Sequence, residues 1–144
     1  MPPCHFNHLV LFLIPMSQPY LEGQRTIIVV EDEQDAAEMF AEMLRLNGFK
    51  VLKAGGCKAA LELIAAKKPE AILLDIMLPD VSGLELLQVL RGRPDLAGIP
   101  VIVVSAKGLP SDIKTGLEAG ASIYLTKPVG YLDLKEAFEK VIGA

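Results

Sequence analysis

The run Ala71-Ile72-Leu73-Leu74-Asp75 decides the fold: it is short, apolar and ends in one carboxylate. Because its apolar residues do not alternate with polar ones, it predicts a strand buried on both faces, as in the middle of a parallel sheet. Asp75 then lies at the carboxyl end of that strand, where open α/β sheets place their ligand sites. The stretch 76–83 is rich in turn-forming residues and predicts a loop that leads into a helix.

The composition indicates one globular domain with its own core. The chain has 144 residues, of which 51% are hydrophobic and 22% are charged, so it needs neither disulfides nor a structural metal to fold. Its net charge of -4 and its lack of a long basic block argue against direct nucleic-acid binding. The two cysteines are too few for a disulfide scaffold, which favours a cytoplasmic protein.

The first 24 residues are interpreted as an N-terminal extension, poorly ordered or a non-native start, and residues 25–144 as the domain. The apolar run 9–14 is too short to span a membrane, so no membrane association is expected. No Lys or Arg precedes Arg25, so a secretory signal would lack its basic start. One hypothesis is that translation begins at Met16, because everything needed for the fold lies beyond it.

The extension also contains three metal-ligating residue types, Cys4, His5 and His8. They could bind a metal ion, but no fourth ligand lies nearby in the sequence. A tail with stray ligand types is therefore the favoured interpretation.

The rest of the chain alternates between strand and helix patterns. Strands are predicted at 26–30, 51–54, 71–75, 101–104 and 123–125, each followed by a helix. Ser82 and Glu85 have the spacing of a capping box for the third helix. The fourth helix, at 111–119, is the weakest because it contains Gly116, which costs about 1 kcal/mol relative to Ala. Five βα units predict a parallel sheet with helices on both faces.

Polar residues follow the strands at the edge where their carboxyl ends would meet. They are Glu31, Asp32, Asp75, Ser105 and Lys127. Carboxylates about 4 Å apart near a surface repel by roughly 4 kcal/mol, so three of them need a cation. Mg²⁺ suits such oxygen ligands and favours phosphate oxygens.

The first turn after strand one excludes a dinucleotide site. Such a site needs a glycine-rich loop that offers N–H groups to pyrophosphate, whereas Glu31, Asp32 and Glu33 offer carboxylates. A metal, a free carboxylate, a hydroxyl and an ammonium together favour phosphoryl transfer onto Asp75, where positioning and charge compensation carry most of the catalysis.

Four motifs in this order resemble the receiver domain of two-component response regulators. They are Val29-Val30-Glu31-Asp32-Glu33, Leu73-Leu74-Asp75-Ile76-Met77-Leu78-Pro79-Asp80-Val81-Ser82-Gly83, Val103-Val104-Ser105-Ala106 and Tyr124-Leu125-Thr126-Lys127-Pro128. The resemblance runs from about residue 26 to 142 and implies a flavodoxin-like α/β fold with strand order 2-1-3-4-5. It also implies a single-domain regulator that is not an enzyme, apart from its own phosphorylation and dephosphorylation.

The resemblance also assigns roles at the acidic edge. It implies that Asp75 is the phosphoacceptor and takes a phosphoryl group from a sensor histidine kinase or a phosphotransfer protein. Asp32 and Asp75 would bind Mg²⁺ directly, Glu31 through water, and Met77 through its backbone carbonyl. Lys127 would pair with the acidic site, and the peptide between Lys127 and Pro128 would be cis.

A conformational switch is implied as well. Ser105 resembles the hydroxyl residue that moves toward the phosphoryl group, and Tyr124 the aromatic residue that turns inward with it. Helix four, strand five and helix five would present the altered surface to an unknown downstream protein or to a second copy of the chain. The resemblance also implies that Met77 and Lys107 tune acyl-phosphate hydrolysis, and we hypothesise that the bulk of Met77 hinders the attacking water.

Two other functions remain open from the sequence. A receiver-shaped interaction module could work without phosphorylation, although the intact set of acids, Ser105 and Lys127 argues against it. An aspartate-nucleophile phosphatase usually has a second acid two residues beyond the nucleophile, where this chain has Met77.

Overall fold

The computed structural model describes residues 24–143. The hypotheses about translation from Met16 and about metal binding by Cys4, His5 and His8 concern residues outside this range. No helix among the described residues is long and apolar enough to cross a membrane.

Five strands alternate with five helices along the described chain. The strands are β1 (Thr26–Val30), β2 (Lys50–Ala54), β3 (Ala71–Asp75), β4 (Val101–Ser105) and β5 (Ile123–Thr126). The helices are α1 (Gln34–Leu46), α2 (Cys57–Lys67), α3 (Gly83–Gly92), α4 (Pro110–Glu118) and α5 (Tyr131–Ile142). Each predicted element is therefore present, with small differences at its ends.

The strands form one sheet in the order β2-β1-β3-β4-β5, and every pair is parallel. This confirms the strand order 2-1-3-4-5 and the flavodoxin-like α/β fold. The central strand is β3, in which Leu74 lies opposite Val30 of β1 and Asp75 lies opposite Val104 of β4. All five strands therefore end at the same edge of the sheet.

The apolar runs of the strands fill two separate cores, one on each face of the sheet. Ile27 and Leu73 belong to the core that α1 and α5 cover, whereas Ile28 and Leu74 belong to the core covered by α2 and α3. Fully burying a side chain of this size contributes about 1.5–3 kcal/mol. The absence of alternation in β1, β3 and β4 thus reflects burial on both faces, which the sequence predicted for β3.

Two local predictions need correction. Ser82 is the N-cap of α3, but its hydroxyl oxygen accepts the N–H of Leu84 at 3.1 Å, not that of Glu85, so the predicted capping box is not formed. α4 begins at Pro110, one residue before the predicted start, because proline is well suited to the first helical position, and it ends at Glu118. The carboxylate of Asp112 accepts the N–H of Leu109 at 3.2 Å and so satisfies this helix end.

Candidate functional site

Three acidic side chains lie together at the edge where the strands end. Glu31 and Asp32 directly follow β1, and Asp75 is the last residue of β3. Oxygen atoms of these three carboxylates all lie within 4.8 Å of one another. Glu31 and Asp75 are only 5% and 6% exposed, whereas Asp32 is exposed. The cluster thus has a buried floor and one carboxylate that is open to solvent.

The third acid after β1 has a different task. The side chain of Glu33 accepts the N–H of Ala36 at 2.7 Å and that of Asp35 at 3.3 Å, which starts α1. An acceptor at this position satisfies backbone donors that the helix itself leaves free. In the same turn, the N–H of Glu33 donates a hydrogen bond of 3.2 Å to the carboxylate of Glu31. The start of α1 therefore fixes the side chain of Glu31.

Lys127 neutralises part of the buried charge. Its Nζ lies 3.1 Å from Oε1 of Glu31 and 3.1 Å from Oδ2 of Asp75. The backbone N–H of Lys127 donates to the carbonyl of Ser105 at 2.8 Å, which holds the residue beside the end of β4. The peptide between Lys127 and Pro128 is cis, as predicted.

Two of these groups, Glu31 and Lys127, have pKa values above their ordinary values. Desolvation raises the pKa of Glu31, and the nearby charge of Asp75 adds to this effect. The hydrogen bond from the backbone N–H of Glu33 and the ammonium group of Lys127 oppose it. Burial lowers the pKa of Lys127, but its hydrogen bonds to Asp75 and Glu31 outweigh burial, so the pKa lies above its ordinary value. The ammonium group is therefore charged throughout the physiological range.

The donor set fits Mg²⁺. Hard cations of this size take carboxylate and carbonyl oxygens and keep several waters, and the cluster offers three carboxylates with one of them open to solvent. A cavity of about 570 Å³ adjoins the cluster and is lined in part by Glu31, Asp32 and Lys53. The N–H of Met77 donates to Oδ1 of Asp75 at 2.9 Å, so the Met77 backbone lies next to this carboxylate.

Ser105 and Tyr124 both contact the backbone of Lys107. Ser105 is fully buried, and its hydroxyl oxygen accepts the N–H of Lys107 at 3.0 Å. The hydroxyl group of Tyr124 donates to the carbonyl oxygen of Lys107 at 2.7 Å. The two predicted switch residues are therefore connected through one residue of the β4–α4 loop. Among the described residues, the hydroxyl of Ser105 has no hydrogen bond to Asp75.

Two further residues near the site, Gly116 and Asp80, have contacts that no sequence pattern indicates. A Cβ at Gly116 would lie 2.6 Å from Cδ2 of Tyr124, so glycine in α4 makes room for the aromatic ring. Asp80, in the β3–α3 loop, accepts backbone N–H groups from Cys57 and Lys58 at the start of α2. Gly116 was interpreted only as a weakness of the helix, and no sequence pattern relates Asp80 to a helix more than 20 residues before it.

Comparison with known proteins agrees with this architecture. The family model of the response regulator receiver domain matches residues 27–139. A solved response regulator receiver domain protein (CheY-like) from Methanospirillum hungatei has a TM-score of 0.76 and 29% sequence identity, over 83% of this chain and 94% of that chain.

Two curated relatives are longer than this chain. The phosphate regulon transcriptional regulatory protein PhoB of Pseudomonas aeruginosa is 38% identical over 118 residues, which are 82% of this chain and 52% of the relative. The response regulator MprA of Mycobacterium tuberculosis is 38% identical over 108 residues, 75% of this chain and 46% of the relative. The chain thus spans about half the length of these relatives. By its fold and its family match, it belongs to the response regulator receiver domain family.

Proposed function

We propose that the chain is the phosphoacceptor of a two-component phosphorelay and that Asp75 takes a phosphoryl group from the phosphohistidine of a sensor histidine kinase or a phosphotransfer protein. In this step a carboxylate oxygen of Asp75 bonds to phosphorus, while the bond from phosphorus to the imidazole nitrogen breaks. The imidazole leaves with the electron pair. The observation that carries the proposal is the carboxylate of Asp75, nearly buried and held by the N–H of Met77 and the ammonium group of Lys127.

Charge compensation is the main task of the surrounding residues. A phosphoryl group adds about two negative charges to a site that already contains two other carboxylates. Lys127 stays protonated and is within hydrogen-bond distance of Asp75, so it offsets part of this charge. We assign Mg²⁺ to Asp32 and Asp75 directly, to Glu31 through water and to the carbonyl of Met77. When bound, the ion supplies positive charge for the oxygens of the transferring phosphoryl group.

The proposed switch rests on the contacts of Ser105 and Tyr124 with the backbone of Lys107. In the proposed mechanism the hydroxyl of Ser105 turns to donate its O–H to a phosphoryl oxygen and gives up the N–H of Lys107, and Tyr124 responds through the Lys107 carbonyl. Phosphorylation then shifts the population between two arrangements of α4, β5 and α5. Leu109 and Leu117 of this face are exposed, which supports a protein partner or a second copy of the chain as its target.

The remaining assignments also belong to the proposal. The receiver domain comprises residues 25–144, with residues 1–24 as an extension. The chain acts on its own acyl phosphate and not on external substrates, so it should not turn over free phosphoesters. The net charge of -4 supports a protein target over direct nucleic-acid binding. The low cysteine content supports the cytoplasm as the compartment.

The test is phosphorylation by acetyl phosphate with Mg²⁺, followed by intact-protein mass spectrometry. The wild-type chain should gain one phosphoryl group, and Asp75→Asn should gain none while keeping its fold. Asp32→Asn should react more slowly because it weakens Mg²⁺ binding. Asp95→Asn is the control, since this exposed carboxylate lies in the α3–β4 loop and should not affect the reaction. Full phosphorylation of Asp75→Asn at another residue would contradict the assignment.

A further inference from the structure

α2 begins without an acceptor of its own. Its N-cap is Gly56, which has no side chain, and its first turn contains no acidic residue. The first backbone N–H groups of a helix need acceptors, which Ser, Thr, Asp or Asn at the N-cap normally supply. In this chain the acceptor is Asp80, whose carboxylate accepts the N–H of Cys57 at 3.0 Å and that of Lys58 at 3.2 Å.

The carboxylate of Asp80 can lie this close to Gly56 because glycine has no side chain. A Cβ at Gly56 would lie 3.1 Å from Oδ2 of Asp80 and 3.3 Å from its Oδ1, closer than most real contacts of a Cβ. The hydrogen bonds from Cys57, from Val81 and from Lys58 hold the pKa of Asp80 below its ordinary value. An ionised carboxylate therefore occupies the positive end of α2, where it is also favoured by the helix dipole.

A second contact joins the same two segments. The thiol of Cys57 lies 3.4 Å from the carbonyl oxygen of Val81 and 3.7 Å from that of Ser82, and donates to both. The β3–α3 loop is thus bound to α2 by Asp80 and by the two residues that follow it. The start of this loop is bound to Asp75 through the N–H of Met77. The short segment that carries the Met77 carbonyl is therefore held at both ends.

We propose that Asp80 is a positioning residue for the metal site: by joining the β3–α3 loop to α2 it fixes the Met77 carbonyl for Mg²⁺. The inference rests on the proposed function, in which this carbonyl is a ligand. Asp80 does not touch the ion, and it acts through the backbone of the loop. Residues that hold a metal ligand in place typically change metal affinity by about 10- to 100-fold when they are removed.

Four variants distinguish an effect of Asp80 on the position of the β3–α3 loop from an effect of its charge and from an effect of helix capping. Asp80→Ala removes the hydrogen bonds and the charge, whereas Asp80→Asn removes the charge but keeps an oxygen acceptor. Asp80→Ala with Gly56→Ser gives α2 a local cap but leaves the loop unattached. Asp112→Ala is the control for helix capping alone, because the carboxylate of Asp112 accepts an N–H at the start of α4 from within that helix and joins it to no other segment.

Two measurements apply to each variant. The first is the dissociation constant of Mg²⁺ alone, from a nuclear magnetic resonance titration. The second is amide hydrogen exchange without metal, read at the β3–α3 loop and at α2. We expect Asp80→Ala to weaken Mg²⁺ binding at least about 10-fold and to speed exchange in both segments. The double variant should regain protection in α2 only and keep the weak Mg²⁺ binding. Asp80→Asn and Asp112→Ala should bind Mg²⁺ nearly as the wild type does.

Three results would overturn the inference. Unchanged Mg²⁺ affinity in Asp80→Ala would show that the loop holds its ligand without Asp80. Recovery of affinity in the double variant would assign the effect to the stability of α2, and equal losses in Asp80→Asn and Asp80→Ala would assign it to charge. Failure of the wild-type chain to bind Mg²⁺ through Asp75 would be a different outcome, because it would defeat the proposed function as well.

Discussion

The hydroxyl group of Tyr124 donates a hydrogen bond of 2.7 Å to the backbone carbonyl oxygen of Lys107. The N–H of the same residue donates to the hydroxyl oxygen of Ser105 at 3.0 Å. A displacement of the Ser105 hydroxyl therefore has a direct route to the aromatic ring, and through the ring to α4.

Gly116→Ala should destabilise the chain although alanine is the better helix former. A Cβ at Gly116 would meet the Tyr124 ring at 2.6 Å, and overpacking of this kind costs about 1–3 kcal/mol. This loss exceeds the gain of about 0.5–1 kcal/mol in helix propensity. Urea denaturation would measure the free energy of unfolding. In a Tyr124→Ala background the same substitution should be stabilising.

The control for this prediction is Gly92→Ala at the end of α3, where a Cβ would have no neighbour within 4 Å. It should be neutral or stabilising. Destabilisation of equal size at both glycines would show that the contact with Tyr124 is not the cause.

Lys127→Ala should tighten Mg²⁺ binding while it slows phosphorylation. The ammonium group lies 3.1 Å from two of the three carboxylates that would hold the ion, so its removal relieves repulsion between cations. We expect a gain on the order of tenfold, which corresponds to about 1.4 kcal/mol. A Mg²⁺ titration and the rate with acetyl phosphate measure the two effects. Weaker Mg²⁺ binding in Lys127→Ala would contradict this account of the site.

Met77→Asn should speed the loss of the phosphoryl group from Asp75. The Met77 side chain is 53% exposed beside the carboxylate, and a smaller polar residue would admit and orient the attacking water. A tenfold increase would correspond to about 1.4 kcal/mol of the barrier. The decay of the phosphorylated chain after removal of acetyl phosphate gives the rate. Val81→Asn, an exposed position in the same loop, should leave that rate unchanged.

Stability should depend on the protonation of Cys57 at high pH. Burial raises the pKa of this thiol from 9.0 to about 11, and the charges of Asp80 and Glu85 add to the effect. Because the pKa of the thiol is higher in the folded chain, the protonated thiol stabilises the fold fully below pH 9.0. This stabilisation is lost as the pH rises through about 11.

The measurement compares Cys4→Ser with Cys4→Ser/Cys57→Ala by urea denaturation from neutral pH to about pH 11. The difference in unfolding free energy should shrink over this range. Lys127 titrates in both chains, so its effect cancels in the comparison. A difference that stays constant with pH would mean that the Cys57 thiol has the same pKa in the folded and the unfolded chain, so that folding does not raise it.

Periodicity and composition were enough to predict the elements and their succession along the chain, whereas the strand order within the sheet was implied by the resemblance to receiver domains. The unbroken apolar run of β3 predicted burial on both faces, and the structure shows a separate core on each face. Parallel strands then required their carboxyl ends to share an edge, so the proximity of Glu31, Asp32, Asp75 and Lys127 followed from topology. These inferences succeed because each depends on a rule of local periodicity or of sheet geometry.

The sequence did not predict contacts of backbone groups, nor contacts that are possible only because a glycine has no side chain. The role of Gly56 in α2 becomes visible only when Asp80 is seen beside it, and the role of Gly116 only when Tyr124 lies against it. The capping box failed for a related reason, since the hydroxyl of Ser82 can accept from either of two N–H groups and the loop geometry selects that of Leu84.

The central position of β3 has a mechanical consequence. Both flanks of this strand are hydrogen-bonded to neighbours, so the main chain under Asp75 is fixed from two sides. If Asp75 is phosphorylated as proposed, we therefore expect the structural response in the segments beyond the strand ends and not in the strand itself. Substitutions that adapt the chain to another interaction should therefore be tolerated in those segments without displacing the Asp75 carboxylate.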